Sequence, residues 1–235
     1  MILDIDNLSS LQSFVRKITS DWFDIDSMYS DLKSDLHMNW TNFWHFPDSM
    51  INIISNRLGY SSEEFLKLWE KKCSVHRAMF MGYHCTRHSD KEVFIKDGIL
   101  PLSEETIKLS QNQERPAAEE AWSYRSTRGS GPYFFLSYKT ARNPNNHFFG
   151  GPEILLAVTG HQPTSNSEES IPLIIHCAIP FEILPNKNYY TFCILRAYFN
   201  FLDPEDDTED FFEAYSIDLN GNALDPQYIV RIEEV

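Results

Sequence analysis

Residues 82–103 read GYHCTRHSDKEVFIKDGILPLS, and the change of pattern within this stretch decides the fold. It overlaps the apolar run MFMGYHCT (79–86), a short block bounded by polar residues that predicts a strand. Residues 89–96 then predict a helix, closed by Asp97-Gly98. His84 and Cys85 are neighbours in the strand. His84, Cys85, His88, His176 and Cys177 are all metal-ligand types, but successive strand residues point to opposite faces, so His84 and Cys85 do not readily share one ion. A nucleophilic Cys85 needs a base and an oxyanion site, and the sequence marks neither. No metal is expected.

Before this stretch the chain predicts helices. Leu8, Leu11, Phe14, Val15 and Ile18 follow the three-and-four spacing of one buried face. Ser61 and Ser62, followed by Glu63, Glu64 and the run from Phe65 to Trp69, predict a second helix start. Between them, NWTNFWHFPDSM (39–50) predicts core or interface packing.

After it, short apolar runs alternate with turn residues: PYFFLS (132–137), EILLAVTG (153–160), IPLIIHCAI (171–179), 214–218 and QYIVRI (227–232). Asn220-Gly221 predicts a hairpin joining the last two. A further helix is expected over 103–109, with Glu104 and Glu105 in its first turn. Residues 203–213, DPEDDTEDFFE, hold seven acids and no base, half the net charge. A solvated loop is the ordinary reading of such a run, and a docking site for a basic partner the rarer one.

The resulting class is α+β: a helical N-terminal region over 1–77 and a strand-rich domain over 78–235. Strand and helix do not alternate regularly, which disfavours a doubly wound sheet. Gly129-Ser130-Gly131 precedes a strand instead of following one, the wrong context for a dinucleotide fingerprint. The length of 235 residues suits one large domain or one domain with an appendage, and 42% hydrophobic content is globular. A net charge of −14 argues against coating nucleic acid or an anionic membrane by charge alone. No apolar run approaches the roughly 20 residues of a membrane span, so no membrane is expected. Asp4 and Asp6 stand where a secretory signal would be basic, and four cysteines without a CxxC pair are too few for a disulfide scaffold. A cytoplasmic location is expected.

Four segments, in order, resemble the ADP-ribosyltransferase fold in its His-Tyr-[Glu], poly(ADP-ribose) polymerase-like branch. GYHCTRHSDKEVFIKDGILPLS resembles the opening strand and helix of that fold, with His-x-Thr and then Gly-Ile-Leu. GPYFFLSYKTARN is similar to the Gly-x-Tyr-Phe strand and the helix after it, GGPEILLAVTG to the next central strand, and DPQYIVRI to the last catalytic strand. The resemblance covers residues 82 to the C-terminus and implies a split β-sheet core and NAD as substrate.

Carried over, the resemblance implies that His84 hydrogen-bonds the adenosine-side ribose, while backbone groups around Cys85 and Thr86 hold the nicotinamide carboxamide. Tyr133 would stack on the nicotinamide ring, and Thr140 would bond the carboxamide oxygen. Tyr133 also fits core packing, and Thr140 also fits a helix cap. The catalytic glutamate position holds Gln227, an amide that accepts hydrogen bonds but carries no charge. Asp225, Glu233 or an acid of 203–213 are the candidates to replace it. Asn143 stands where that branch has a second stacking aromatic, with His147 and Phe148 nearby. Arg87, Arg125 and Arg128 are candidates for the pyrophosphate, although surface solvation is the commoner fate of arginine.

The implied activity is single ADP-ribose transfer to a protein or nucleic acid. The implied setting is a toxin or antiviral-defence effector, with an inhibitor or antitoxin as a further partner. The alternative is a catalytically silent module of the same fold that binds NAD, ADP-ribose or a protein.

Overall fold

The computed structural model describes residues 1–35, 37–101, 131–143, 171–203 and 216–235. The strand expected over 153–160, the helix over 103–109 and all of 203–213 except Asp203 lie outside the described residues. The chain divides into two compact units, Met1–Phe80 with Pro180–Ala214, and Met81–Ile179 with Tyr215–Val235. The first unit is therefore larger than the N-terminal third, because a later segment joins it.

In that first unit, α1 (Leu8–Thr19) buries Leu11, Phe14, Val15 and Ile18, the stripe its spacing dictates. Asn7 caps it by accepting the Ser10 N–H. Next come α2 (Ile25–Lys33), α3 (Trp40–His45), α4 (Pro47–Arg57) and α5 (Ser62–Val75). Ser61 and Glu64 close a reciprocal capping box at the start of α5. The aromatic stretch forms α3 and the start of α4; Phe43 and Trp44 enter the core, while Phe46 stays 55% exposed.

The centre of this unit is α8 (Lys187–Leu202), which packs against α1, α4 and α5 and is buried continuously from Tyr190 to Phe199. A helix apolar on every side can be stable only when surrounded. Phe199 stacks on Tyr29 at 4.7 Å, and the Tyr198 hydroxyl donates to Asp26 while accepting from Arg16. A short strand, β1 (Ile2–Leu3), runs parallel to the first residues of β2 (Met79–His88), pairing with Met79 and Phe80.

The second unit is built on a sheet in the order β5-β3-β2-β4-β6. Its members are the rest of β2, β3 (Tyr133–Phe135), β4 (Ile171–Pro180), β5 (Ser216–Asp218) and β6 (Ile229–Glu234). Two short helices, α6 (Glu92–Asp97) and α7 (Tyr138–Ala141), accompany it. The pairs β2–β3, β3–β5 and β4–β6 are antiparallel. Counting both units, the described residues hold eight helices and six strands, an α+β protein. No described helix is long and apolar enough to cross a membrane.

The expected hairpin between the last two strands does not form. Asn220 and Gly221 do take the positive φ values of an Asn-Gly turn, 50° and 82°. The turn instead returns the chain toward β3: Gly221 N–H donates to the Gly131 carbonyl, and β5 pairs with β3 through Phe134↔Ile217. The chain then leaves this edge, bridges Ile99 through Leu224, and passes a 3-10 turn (Pro226–Tyr228) before pairing with β4. QYIVRI accordingly becomes strand only at Ile229.

Gly98 makes the Ile99–Leu224 bridge possible. Its φ is 76°, and a Cβ there would lie 2.1 Å from the Leu224 carbonyl oxygen. Gly59 has a similar φ of 78° but nothing within 4 Å of a Cβ. Gly59→Ala is expected to cost about 1–2 kcal/mol of left-handed strain. Gly98→Ala should cost that plus roughly 1–3 kcal/mol for displaced backbone partners. Urea denaturation of the two variants checks this; equal costs would contradict the clash.

Candidate functional site

His84 sits on β2, half-buried, where the β2–β3 ladder stops. The paired residues there are Tyr83↔Phe135, and one residue further the His84 imidazole bonds the β3 backbone: its Nδ1–H donates to the Tyr133 carbonyl at 2.8 Å. A carbonyl only accepts, so Nδ1 carries the proton. Burial pushes the imidazole below its ordinary pKa, and the bond to Tyr133 offsets that only in part. At neutral pH the ring is uncharged and Nε2 presents a bare acceptor lone pair. The ring lies 5.5 Å from Phe134, on the β2 face opposite Tyr83 and Cys85.

Tyr133 is 38% exposed and lies opposite Asp218 of β5. Cys85 is buried, and its thiol donates to the Ala141 carbonyl at 3.4 Å. Burial pushes that thiol up to about 12, so it holds its proton at neutral pH and is no nucleophile. Thr86 follows it, half-buried, on β2. Thr140 is not the cap of its helix: Ser137 caps α7, its hydroxyl accepting the Thr140 N–H at 3.2 Å, and Thr140 lies within the turn.

Gln227 is exposed in the 3-10 turn before β6, where its N–H is held by Asp225 at 3.0 Å. That turn packs on α6, while His84 and Tyr133 meet at the β2–β3 fork. The structure brings His84 and Tyr133 together through one direct bond, and Cys85 together with the turn bearing Thr140. It gives Gln227 no bond to any of them. Asn143 is exposed just after α7; His147, Phe148, Arg125 and Arg128 lie outside the described residues. Among the described residues, no three His, Cys, Asp or Glu side chains converge as metal ligands.

Sequence reasoning named Glu233 and His176 separately and missed their union. Glu233 on β6 accepts from the Tyr138 hydroxyl at 2.8 and 3.0 Å and from Arg231 at 3.0 Å, and His176 Nε2 lies 3.2 Å from both the carboxylate and the Arg231 guanidinium. Burial pushes the Glu233 carboxyl up, but the hydrogen bonds from Tyr138 and His176, with the Arg231 charge, outweigh it and hold it below the ordinary range. The same burial, with the bond to Glu233, raises the Tyr138 phenol. The one available signal was His176 itself, a lone imidazole in an otherwise apolar strand that needed a buried partner.

Because His84 titrates lower when folded than when unfolded, the unfolded chain takes up its proton first. Its neutral burial supports the fold fully above about 6.5, the ordinary histidine value, and progressively less as pH falls below it. The melting-temperature difference between wild type and His84→Gln is expected to stay constant above pH 7. It should shift against wild type as the pH drops to 5.5. A difference flat with pH would contradict the assigned tautomer and burial.

Compared with family models, curated proteins and solved structures, the chain matches none.

Proposed function

We propose that the second unit binds NAD and transfers a single ADP-ribose to a macromolecular acceptor. The observation that carries this reading is the bond between His84 and the Tyr133 carbonyl. It unites the two residues singled out by the resemblance, 49 positions apart, at the fork between β2 and β3. It also leaves His84 Nε2 as an acceptor suited to a ribose hydroxyl, while the exposed Tyr133, on the β3 face opposite His84 and Phe134, offers a ring suited to a planar nicotinamide.

In the reaction, the bond from the ribose anomeric carbon to the nicotinamide nitrogen breaks, and its electron pair leaves with nicotinamide. The acceptor's nucleophilic atom then bonds that carbon and loses its proton to water. The transition state is oxocarbenium-like, so clamping both flanks of the carbon and excluding water are what the protein must supply. His84 would hold the far ribose; Tyr133, Thr140 and the backbone at Cys85 and Thr86 would hold the leaving nicotinamide.

A second reading, a catalytically silent module that binds NAD or ADP-ribose, is favoured by two placements. Gln227 is an exposed, uncharged amide, and the Glu233 carboxylate is committed to Tyr138, His176 and Arg231. Without a carboxylate at the ribose, the transition state loses about 3 kcal/mol, roughly a hundredfold in rate.

Incubation with adenylate-labelled NAD and cell lysate, fractionated into protein, RNA and DNA, separates the readings. A transferase labels one fraction, and Tyr133→Ala abolishes the label while its melting temperature changes little, since the ring is exposed. Label seen only with Gln227→Glu identifies the silent module. No label with any variant, and no thermal shift by NAD, would sink both.

A further inference from the structure

Resting on the NAD reading above, we propose that Tyr138 and Glu233 are positioning residues that set the grip on the nicotinamide end of NAD. Thr140 belongs to α7, a helix of four residues, and one turn does not hold its own geometry in water. Three bonds among those that hold it fix its two ends and its face. Ser137 caps its start, the Cys85 thiol bonds the Ala141 carbonyl at its end, and the Tyr138 hydroxyl reaches both oxygens of Glu233. The second ties the turn to β2, 56 residues earlier, and the third to β6, 95 residues later in the chain.

Glu233 suits this task because it is itself immobilised. His176 and Arg231 hold its Oε2, leaving Oε1 aimed at Tyr138. The Tyr138 ring is packed as well, in a three-ring cluster with Tyr83 at 5.4 Å and His176 at 5.3 Å, with the Arg142 guanidinium 5.9 Å from its centre. Thr140 stands two residues beyond this anchored ring, so the carboxylate on β6 fixes where its hydroxyl lies relative to β2. Glu233 touches no nucleotide in this scheme; it acts through Tyr138.

The nucleotides themselves supply the discriminating probe. NAD carries the carboxamide that Thr140 would hold, and ADP-ribose does not. Titration calorimetry on the full chain should show NAD binding to Tyr138→Phe weakened about tenfold, the loss of one charge-assisted hydrogen bond, while ADP-ribose affinity stays within about twofold. Thr140→Ala should weaken NAD alike and add less than about twofold in the Tyr138→Phe background, because neighbours in one network are not additive. Glu233→Gln keeps an acceptor for the phenol and should hold NAD affinity within about threefold, whereas Glu233→Ala should match Tyr138→Phe. Equal weakening of both nucleotides, or of neither, overturns the positioning role and leaves the NAD reading standing. A wild-type chain that binds neither nucleotide overturns both.

Discussion

Strand β2 has to satisfy two faces at once, and the second unit depends on how it does so. One face carries Tyr83 and Cys85, packed with Ala141 and Ile174. The other carries Gly82 and His84. At Gly82 a Cβ would come within 2.6 Å of the Ile179 side chain and 3.1 Å of Phe134, so that face has room for nothing larger. A slip of one residue would turn Tyr83 into that space and expel His84 from the fork. The glycine that permits close strand approach is thus also what fixes the histidine's partner, and the tautomer of the candidate site follows from packing two residues away.

The polar groups of this unit obey the same economy. A buried imidazole, a phenol and a carboxylate would each be costly alone in an apolar setting. On the Cys85 face they satisfy one another: His176, Tyr138 and Arg231 converge on Glu233, and each cross-strand pair, Ile174↔Glu233 and His176↔Arg231, sets one member in place. On the other face His84 meets its need with a backbone carbonyl, which engages one nitrogen and leaves the second without a partner among the described residues. The first arrangement is closed and holds structure; the second is half open.

Features written in local sequence were legible. The α1 stripe and the Ser61–Glu64 box need only neighbours a turn away, and both appear where their spacing puts them. The α8 helix escaped notice for the opposite reason. Its NYYTFCILRAYFNFL run places large side chains on every face, so it shows no clear amphipathic stripe, and its burial depends on helices more than a hundred residues earlier. The Asn-Gly turn was readable as a turn, but not its partner, because β5 chooses β3 by long-range register. His84 and Tyr133 were legible as residues, and Glu233 only as a spare acid. Its bond to Tyr138 exists solely once β6 has been laid beside β4.

Magnitudes suggest where the chemistry of the proposed site has to come from. A carboxylate 4 Å from a developing positive charge contributes about 1 kcal/mol in bulk water and about 4 kcal/mol at an effective dielectric constant of 20. Gln227 is exposed, so a charge at that position gains close to the smaller figure unless a bound acceptor or nucleotide excludes water around it. Positioning does not suffer this discount: holding the reacting groups in a near-attack arrangement is worth about 7–11 kcal/mol at its limit. On the proposed reading, a chain with an amide at 227 would have to lean on positioning by His84 and by the Tyr133 and Thr140 elements. In that proposed reaction a net charge of −14 would act on the acceptor's approach more than on the reacting carbon, by steering acceptors with basic surfaces.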